Sequence, residues 1–288
     1  MNSLFSLLMK VHIHPLLWGI FAIGILTATI KPLMILFLIV LIHELGHAVA
    51  ANCFSWRIKQ IMLLPFGGVA EVDEHGNRPF REELIVTVSG PIQHILMVGV
   101  AYLLMKGNIL PVTIYEQFVF QNMLIFGFNL LPIWPLDGGK LLFLLCSRYR
   151  PFLSAHKQML KLSSFFLGVV MIYTAIMYSF HLHLWIVIIF LIVCHYQEWQ
   201  NRHFVYMRFL LERYHGKERS ISTLQTVTAA TNEKVHDILK QFKRGCKHMI
   251  IVQSANGDTV QIDENELLHA YFIEKRVNSY IDELVSFY

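Results

Sequence analysis

The sequence predicts a polytopic α-helical membrane protein with a small α/β domain at its C-terminal end. Hydrophobic residues make up 55% of the 288 residues and charged residues only 15%, a composition well to the apolar side of a typical soluble domain. Six segments are apolar enough to be candidate membrane spans. The last 87 residues hold 23 of the 44 Lys, Arg, Asp and Glu side chains, which indicates a change to a soluble part near Asn201.

A helix that crosses a bilayer core of about 30 Å needs about 20 apolar residues. The first apolar segment is not followed by a small-residue cleavage pattern, so we interpret it as a retained span rather than a signal peptide. Six spans place both termini on one side of the membrane. Lys and Arg concentrate on that side, which predicts cytoplasmic termini. The predicted spans are residues 13–30, 33–54, 84–105, 115–136, 162–180 and 182–199.

The loop after the second span, residues 57–73, has an apolar centre that is too short to cross the membrane. Pro65, Gly67 and Gly68 interrupt it and Val and Ile flank it, which favours strands or a re-entrant hairpin. An ordinary cytoplasmic loop is the alternative.

The end of the fourth span contains Pro132, Pro135, Gly138 and Gly139 within eight residues. A continuous helix is hard to maintain across such a stretch, so the pattern predicts an unwound turn. The backbone groups freed there need neighbouring helices or a wet cavity, and such a cavity is also the favourable place for Asp137.

The chain beyond Asn201 predicts a linker helix, residues 202–222, and then a small domain, residues 223–288. Within that domain, a short strand precedes a helix with apolar Val235, Ile238, Leu239 and Phe242, and two further strands and a helix follow. This alternation is typical of an α/β module. Residues 1–201 form the predicted membrane domain.

The composition argues against nucleic-acid binding and against a structural role for the cysteines. The net charge is only +4, and no block of basic residues with interleaved aromatic residues occurs, so nucleic-acid binding is not expected. The four cysteines are far apart without a CxxC pair, which argues against a disulfide framework or a cysteine zinc site.

The residues that carry chemistry are His43, Glu44 and His47, which form an HExxH motif inside the second span. On a helix, two histidines four residues apart lie on one face, where both can bind a single metal ion. Zinc is the usual ion for nitrogen and carboxylate ligands, with the fourth position left for a water, and the glutamate can act as the general base. The alternative is a structural polar cluster that hydrogen-bonds to neighbouring helices.

A third ligand has to come from another segment. Asp137 is the only aspartate in residues 84–201, and its depth on the cytoplasmic side is compatible with that of the two histidines. Ionisable groups within a membrane are by default functional or paired. An exposed turn residue in LDGG is the alternative for Asp137. Among the other histidines, His94 in the third span is a candidate neighbour of the site.

Three stretches of the chain resemble the site-2 protease family of intramembrane zinc metalloproteases. They are HELGH inside an apolar span, SGPIQH at residues 89–94, and NLLPIWPLDGG at residues 129–139. The likeness runs along essentially the full length, and the pairing of HELGH with the LDG segment is highly specific. The chain closely resembles one member of the family, which acts in bacterial sporulation.

The resemblance implies one zinc ion per subunit and a role for Glu44 in activating the water. It implies that Asn129 holds the substrate backbone or the developing oxyanion, and that the loop at Phe66, Gly67 and Gly68 pairs with an extended substrate strand. One position departs from the family pattern, because many members have GPxxN where this chain has His94, so no role of that asparagine transfers. The implied zinc ligands are His43, His47 and Asp137.

The resemblance also implies a substrate and partners. The substrate would be the membrane-associated pro-form of the sporulation factor sigma-K, and membrane-bound inhibitory regulators would control the cleavage in the forespore outer membrane that faces the mother cell. The tail resembles a single CBS domain, which implies ATP binding and assembly of a homo-oligomer. Asp263 and Glu266 stand where the typical CBS motif has Thr or Ser and then Asp, and a protein-docking tail is the alternative.

Rival functions have less support in the sequence. An intramembrane serine protease needs a serine and histidine pair, and no GxSxG motif occurs. An intramembrane aspartyl protease needs two aspartates at depth, and only Asp137 qualifies. A non-enzymatic metal transporter would also place histidines in helices, but it gives Glu44 no special role, so a Glu44→Gln variant separates it from a protease.

Overall fold

The computed structural model describes residue 7 and residues 9–64, 67–72, 78–178, 180–215, 223–253 and 259–285. The chain forms two compact units. The first comprises the described residues of 1–74, 81–142 and 162–195, and the second those of 75–80, 143–161 and 196–288.

The first part of the chain is mainly helical and carries one small sheet. Its strands are β1 (Val11–Ile13), β2 (Ile58–Leu64) and β3 (Gly67–Val72). Its helices are α1 (Pro15–Leu26), α2 (Ile30–Cys53), α3 (Phe80–Lys106), α4 (Val112–Asn129), α5 (Asp137–Tyr149), α6 (Phe152–Met177) and α7 (Leu182–His215).

Within the described part of the chain, four helices are long and apolar enough to cross a membrane by length and composition, namely α2, α3, α6 and α7. They coincide with four of the six predicted spans. The first predicted span differs, because residues 11–13 form β1 and the helix behind it, α1, has only 12 residues. The fourth predicted span, residues 115–136, overlaps the 18-residue α4, which ends at Asn129. For α1 and α4, a crossing of the membrane stays a prediction.

The region between α2 and α3 forms strands, one of the two structures predicted for residues 57–73, and not the ordinary loop that was the alternative. β2 pairs with β3 in antiparallel fashion and with β1 in parallel, giving the order β1-β2-β3. Ile58 and Ile61 of β2 are buried with Ala48 and Ala51 of α2, so the apolar face of the sheet packs on the helix that carries the HExxH motif.

Helices α2, α3 and α4 pack together in the first unit. Ile39, Met97 and Ile125, one from each helix, form a buried cluster. At Gly46 the two backbones approach closely, since a Cβ there would lie 2.9 Å from the backbone carbonyl oxygen of Ser89. The Ser89 hydroxyl donates to the Gly46 carbonyl across this contact, at 3.0 Å. A substituted side chain at Gly46 would therefore push α2 and α3 apart.

Residues 130–136 form the non-helical connection between α4 and α5, where the prolines predict an unwound turn. Ile133 and Leu136 of this turn are buried against Leu167 and Leu191. The Trp134 amide donates to the hydroxyl of the buried Ser163 at 2.8 Å. Apolar packing and a buried hydrogen bond thus hold the turn in place without helical geometry.

The second unit contains the C-terminal strands and helices. They are β4 (Leu224–Ala230), α8 (Val235–Leu239), β5 (Lys247–Gln253), β6 (Thr259–Asp263), α9 (Glu264–Phe272) and α10 (Asp282–Val285). β5 pairs with β4 in parallel and with β6 in antiparallel fashion. Val235, Ile238 and Leu239 lie in the core as their spacing predicts, and Phe242 joins them from beyond the end of α8.

The last predicted span and the start of the predicted linker helix form one element. α7 runs from Leu182 to His215 without interruption, because no Gly or Pro occurs between these residues. Residues 216–222 of the predicted linker lie outside the described part of the chain.

Candidate active site

The two histidines of the HExxH motif lie on the buried face of α2. His43 and His47 are 3% and 6% exposed, and their Nε2 atoms are 3.1 Å apart. The Nδ1 of His47 is 2.7 Å from the carbonyl oxygen of Val86 on α3. Because a carbonyl only accepts, Nδ1 carries a proton, and when the ring is neutral Nε2 presents a lone pair to the site.

Asp137 joins the two histidines from a distant segment. It is the first residue of α5 and its Oδ2 is 3.1 Å from Nε2 of His43 and 3.0 Å from Nε2 of His47. Gly138 makes this placement feasible, since a Cβ there would lie 2.3 Å from the Leu130 carbonyl oxygen. The close return of α5 onto the turn therefore brings the carboxylate into the site.

The three side chains fit a divalent metal ion. Their ligand atoms lie within 4.8 Å of one another, and all three residues are buried. Two nitrogen ligands about 2.1 Å from a tetrahedral zinc ion lie roughly 3.4 Å apart, close to the separations of 3.0–3.1 Å between the facing atoms. A lone pair of His47 and a carboxylate that meet away from water repel each other unless a cation lies between them.

Lys140 occupies the other side of the Asp137 carboxylate. Its Nζ donates to Oδ1 at 3.0 Å, one turn along α5. The ammonium thus holds one carboxylate oxygen and leaves Oδ2 directed at the histidines. Lys140 is not among the residues predicted from the sequence, although its i,i+3 spacing to Asp137 is a signal that could have identified it.

Glu44 lies beside the histidines and against the small sheet. It is 6% exposed, and Gly68 of β3 packs so closely that a Cβ there would lie 2.3 Å from Cγ of Glu44. The sheet therefore borders the site on the side of the predicted general base. Gly67, next to Gly68, has a φ of +148°, a conformation that favours glycine.

His94 and Asn122 extend the site behind His43. Both are fully buried. Nε2 of His94 is 3.0 Å from Nδ1 of His43, and Nδ1 of His94 is 2.8 Å from Oδ1 of Asn122. The sequence predicted His94 as a candidate neighbour of the site, and the structure places it there. Asn122 was missed, because a lone asparagine in an apolar helix carries no motif.

Asn129 and Phe66 are two of the predicted substrate-binding residues. Asn129 ends α4 and is partly buried, and within the described residues its side chain makes no hydrogen bond to the three predicted ligands. Phe66 lies outside the described residues. The other two, Gly67 and Gly68, begin β3, and Gly68 contacts Glu44 as described above.

Comparison with known proteins gives consistent results. A model of peptidase family M50 matches residues 32–110 and 108–173. Stage IV sporulation protein FB of Bacillus subtilis (strain 168) is 48% identical over 285 residues, which cover 99% of both chains. The chain belongs to peptidase family M50, the site-2 proteases. A zinc metalloprotease of Methanocaldococcus jannaschii is 33% identical over 128 residues, 43% of this chain and 37% of that protein.

A solved structure also resembles this family M50 chain. The site-2 protease from Methanocaldococcus jannaschii matches with a TM-score of 0.52 and 25% identity, over 65% of this chain and 89% of that one. The protein is therefore a membrane metalloprotease of the site-2 type, as its family and its zinc metalloprotease relatives show.

Proposed function

We propose that the protein cleaves a membrane-associated precursor by regulated intramembrane proteolysis, with His43, His47 and Asp137 as the ligands of one zinc ion and Glu44 as the general base. The observation that supports this proposal is the convergence of the three ligand atoms beside Glu44. Two of the ligands belong to HExxH on α2 and the third to α5, 90 residues away.

Zinc, when bound, supplies the Lewis acidity that lowers the pKa of water and polarises the scissile carbonyl. The residues of the chain do the rest. Glu44 accepts the proton of the attacking water and returns it to the leaving amine. Lys140 keeps Asp137 oriented, and the buried setting strengthens each of these electrostatic contacts.

The small sheet is the proposed docking place of the substrate. β3 is an edge strand of the β1-β2-β3 sheet, and an extended peptide can add to such an edge through main-chain hydrogen bonds. Gly67 and Gly68 would then bring the substrate backbone next to Glu44. We propose Phe66 and Asn129 as further substrate contacts, Asn129 because it ends the helix that precedes the turn carrying Asp137.

The proposed substrate is the pro-form of the sporulation factor sigma-K, and the support for it is the 48% identity with the sporulation relative. The same likeness supports membrane-bound inhibitory regulators as partners, and the forespore outer membrane facing the mother cell as the location. The distribution of Lys and Arg supports cytoplasmic termini.

The test is co-production of the chain with candidate sigma-factor precursors. The parent should convert pro-sigma-K to a shorter product on a gel, and Glu44→Gln should abolish the conversion while the purified protein keeps about one zinc per chain. Glu116→Gln is the matched control, since Glu116 is an exposed acid on α4, and should cleave like the parent.

Cleavage by Glu44→Gln would contradict the role of Glu44. Cleavage of another precursor but not of pro-sigma-K would contradict the substrate alone. A metal transporter is the alternative function, and it predicts metal flux in vesicles that Glu44→Gln leaves unchanged.

For the tail we propose ATP binding and self-association. A surface cavity of about 330 Å³ is lined by Thr231, Asn232, Tyr280, Asp282 and Glu283, where an aromatic ring suits an adenine base and a carboxylate suits ribose hydroxyls. Asp263 has a local role instead, since it accepts from the Asn265 amide at the start of α9. β4 is an edge strand with an exposed Leu224, which supports pairing of tails in a homo-oligomer.

ATP binding is tested by fluorescence polarisation with a labelled ATP analogue and the full-length protein. Asp282→Asn should weaken binding at least tenfold because it removes one of the two carboxylates that line the cavity, the one proposed to bind the ribose. Lys275→Gln, at an exposed position outside the cavity, is the control. Equal binding by Asp282→Asn and the parent would contradict the site, and a tail that only docks proteins would bind no analogue.

A further inference from the structure

We propose that His94 and Asn122 are positioning residues that fix the tautomer of His43, so that its Nε2 is free to bind the metal. The proposal rests on the zinc site proposed above and adds two residues to it. The three side chains come from α3, α4 and α2, and all are buried. They form one chain of hydrogen bonds in which each donor and acceptor can be assigned.

The assignment begins at Asn122, which makes two hydrogen bonds to His94. One end of its amide is 3.0 Å from the backbone carbonyl oxygen of His94. A carbonyl oxygen only accepts, so this end of the amide is the nitrogen, and the other end is the oxygen. The amide oxygen is 2.8 Å from Nδ1 of His94. Because that oxygen also only accepts, Nδ1 of His94 carries the proton.

The assignment then passes to His43. A neutral imidazole protonated at Nδ1 has a lone pair at Nε2. Nε2 of His94 is 3.0 Å from Nδ1 of His43, so Nδ1 of His43 has to be the donor. This leaves Nε2 of His43 with the lone pair, 3.1 Å from Oδ2 of Asp137. Two residues from neighbouring helices thus select the His43 tautomer that a metal requires.

His47 reaches the same tautomer by a simpler route, through the Val86 carbonyl. The two ligands of the motif therefore have different supports, one from a backbone group and one from side chains. His94 itself is not in the metal cluster, which comprises His43, His47 and Asp137 among the described residues. Its Nε2 contacts the nitrogen of His43 that faces away from Asp137. Partners of this kind typically contribute 10- to 100-fold to metal affinity.

The experiment measures the zinc affinity of the purified full-length protein in detergent by competition with a fluorescent chelator. His94→Phe keeps the ring volume and removes the acceptor, so it should weaken zinc binding at least tenfold. His94→Gln keeps an acceptor near the Nε2 position and should stay within about threefold of the parent. Thr174→Val, a buried near-isosteric change on α6, is the control for packing and should bind like the parent.

Unchanged zinc affinity in His94→Phe would overturn the proposal, as would an equal loss in His94→Gln and His94→Phe, which indicates a packing role only. If His94→Phe does not accumulate as folded protein, Asn122→Leu decides: a loss of at least threefold supports the proposal and no loss overturns it. A parent that binds no zinc would contradict the zinc site itself, so failure of the proposed function is distinguishable from failure of this inference.

Discussion

Gly90 lies on α3 at the point where that helix meets the rings of both histidine ligands. A Cβ at this position would be 2.2 Å from Nε2 of His47 and 2.8 Å from Cε1 of His43. Contacts under 3 Å of this kind force the rings or the helix to move. The absence of a side chain at Gly90 therefore leaves room for the rings of the two proposed histidine ligands.

Gly90→Ala should weaken zinc binding more than tenfold, because the added methyl group displaces the two ligand rings from Asp137. Gly99→Ala is the matched control on the same helix, since a Cβ there meets no atom within 4 Å. The measurement is zinc content after dialysis against a chelator. Equal retention of zinc by the two variants would show that the rings can adapt without loss.

The sequence predicts the ligands better than their supports. His43, Glu44 and His47 follow from spacing alone, and Asp137 from the scarcity of acids in the apolar region. Asn122 and Gly90 act through contacts with residues far away in the chain, His94 and His47 among them, and such contacts depend on how helices pack. The sequence around a single residue does not show which helices pack against each other.

The tail is held together by a buried ion pair between two of its elements. Arg213 near the end of α7 donates from Nε and Nη2 to the carboxylate of Glu264, the first residue of α9. The His248 amide donates to the same carboxylate at 2.7 Å. Burial raises the pKa of Glu264, but these hydrogen bonds and the guanidinium charge outweigh burial and lower the pKa to about 2.

Glu264→Gln should destabilise the tail by about 3–5 kcal/mol, because it leaves the Arg213 guanidinium buried without an opposite charge. Hydrogen exchange of tail peptides in the full-length protein measures the free energy of opening. Asp237→Asn is the control, because Asp237 is an exposed residue of α8 that pairs with Lys240. This substitution should change the free energy of opening by less than about 0.5 kcal/mol.

The same pair makes the tail sensitive to acid in a defined window. The carboxylate has a lower pKa in the folded tail than its ordinary 4.5, so its contribution is fully present above that value and is lost as pH falls toward 2. The contribution is on the order of 3 kcal/mol. The parent should lose exchange protection across this window more steeply than Glu264→Gln, and parallel pH profiles would contradict the assignment.

The elements differ in how clearly the sequence marks them. The turn at residues 130–136 is clear, since two prolines and two glycines within eight residues make a continuous helix hard to maintain. β1 is difficult to predict from the sequence, because its three residues directly precede an apolar helix and resemble the start of that helix. The residues of β2 with which they pair are about 50 positions further along the chain. Pro91 does not interrupt the predicted third span, residues 84–105, and α3 does continue through it.

At the scale of the whole molecule, the pattern of apolar helices and charges predicts an orientation in the membrane. Among the described residues four helices are long and apolar enough to span, while the crossings by α1 and α4 rest on the sequence. Six crossings with cytoplasmic termini predict that the connection between α3 and α4 faces away from the cytoplasm and that the tail faces it.

A tag inserted after Asn108, between α3 and α4, should be removed by protease added to intact spheroplasts of a producing bacterium. A tag at the C-terminal end should resist until the cells are lysed. Immunoblots of the two tagged proteins measure this. Protection of the Asn108 tag, or loss of the C-terminal tag before lysis, would contradict six crossings with cytoplasmic termini.

The separation of the metal ligands along the chain has a consequence for biosynthesis. His47 and Asp137 are 90 residues apart, and translation at about 5–20 residues per second takes roughly 5–18 s to cover that distance. During this interval the nascent chain already contains HExxH but has no third ligand. If His43, His47 and Asp137 hold the zinc ion as proposed, we expect the nascent chain to be inactive as a protease until Asp137 has been synthesised and inserted.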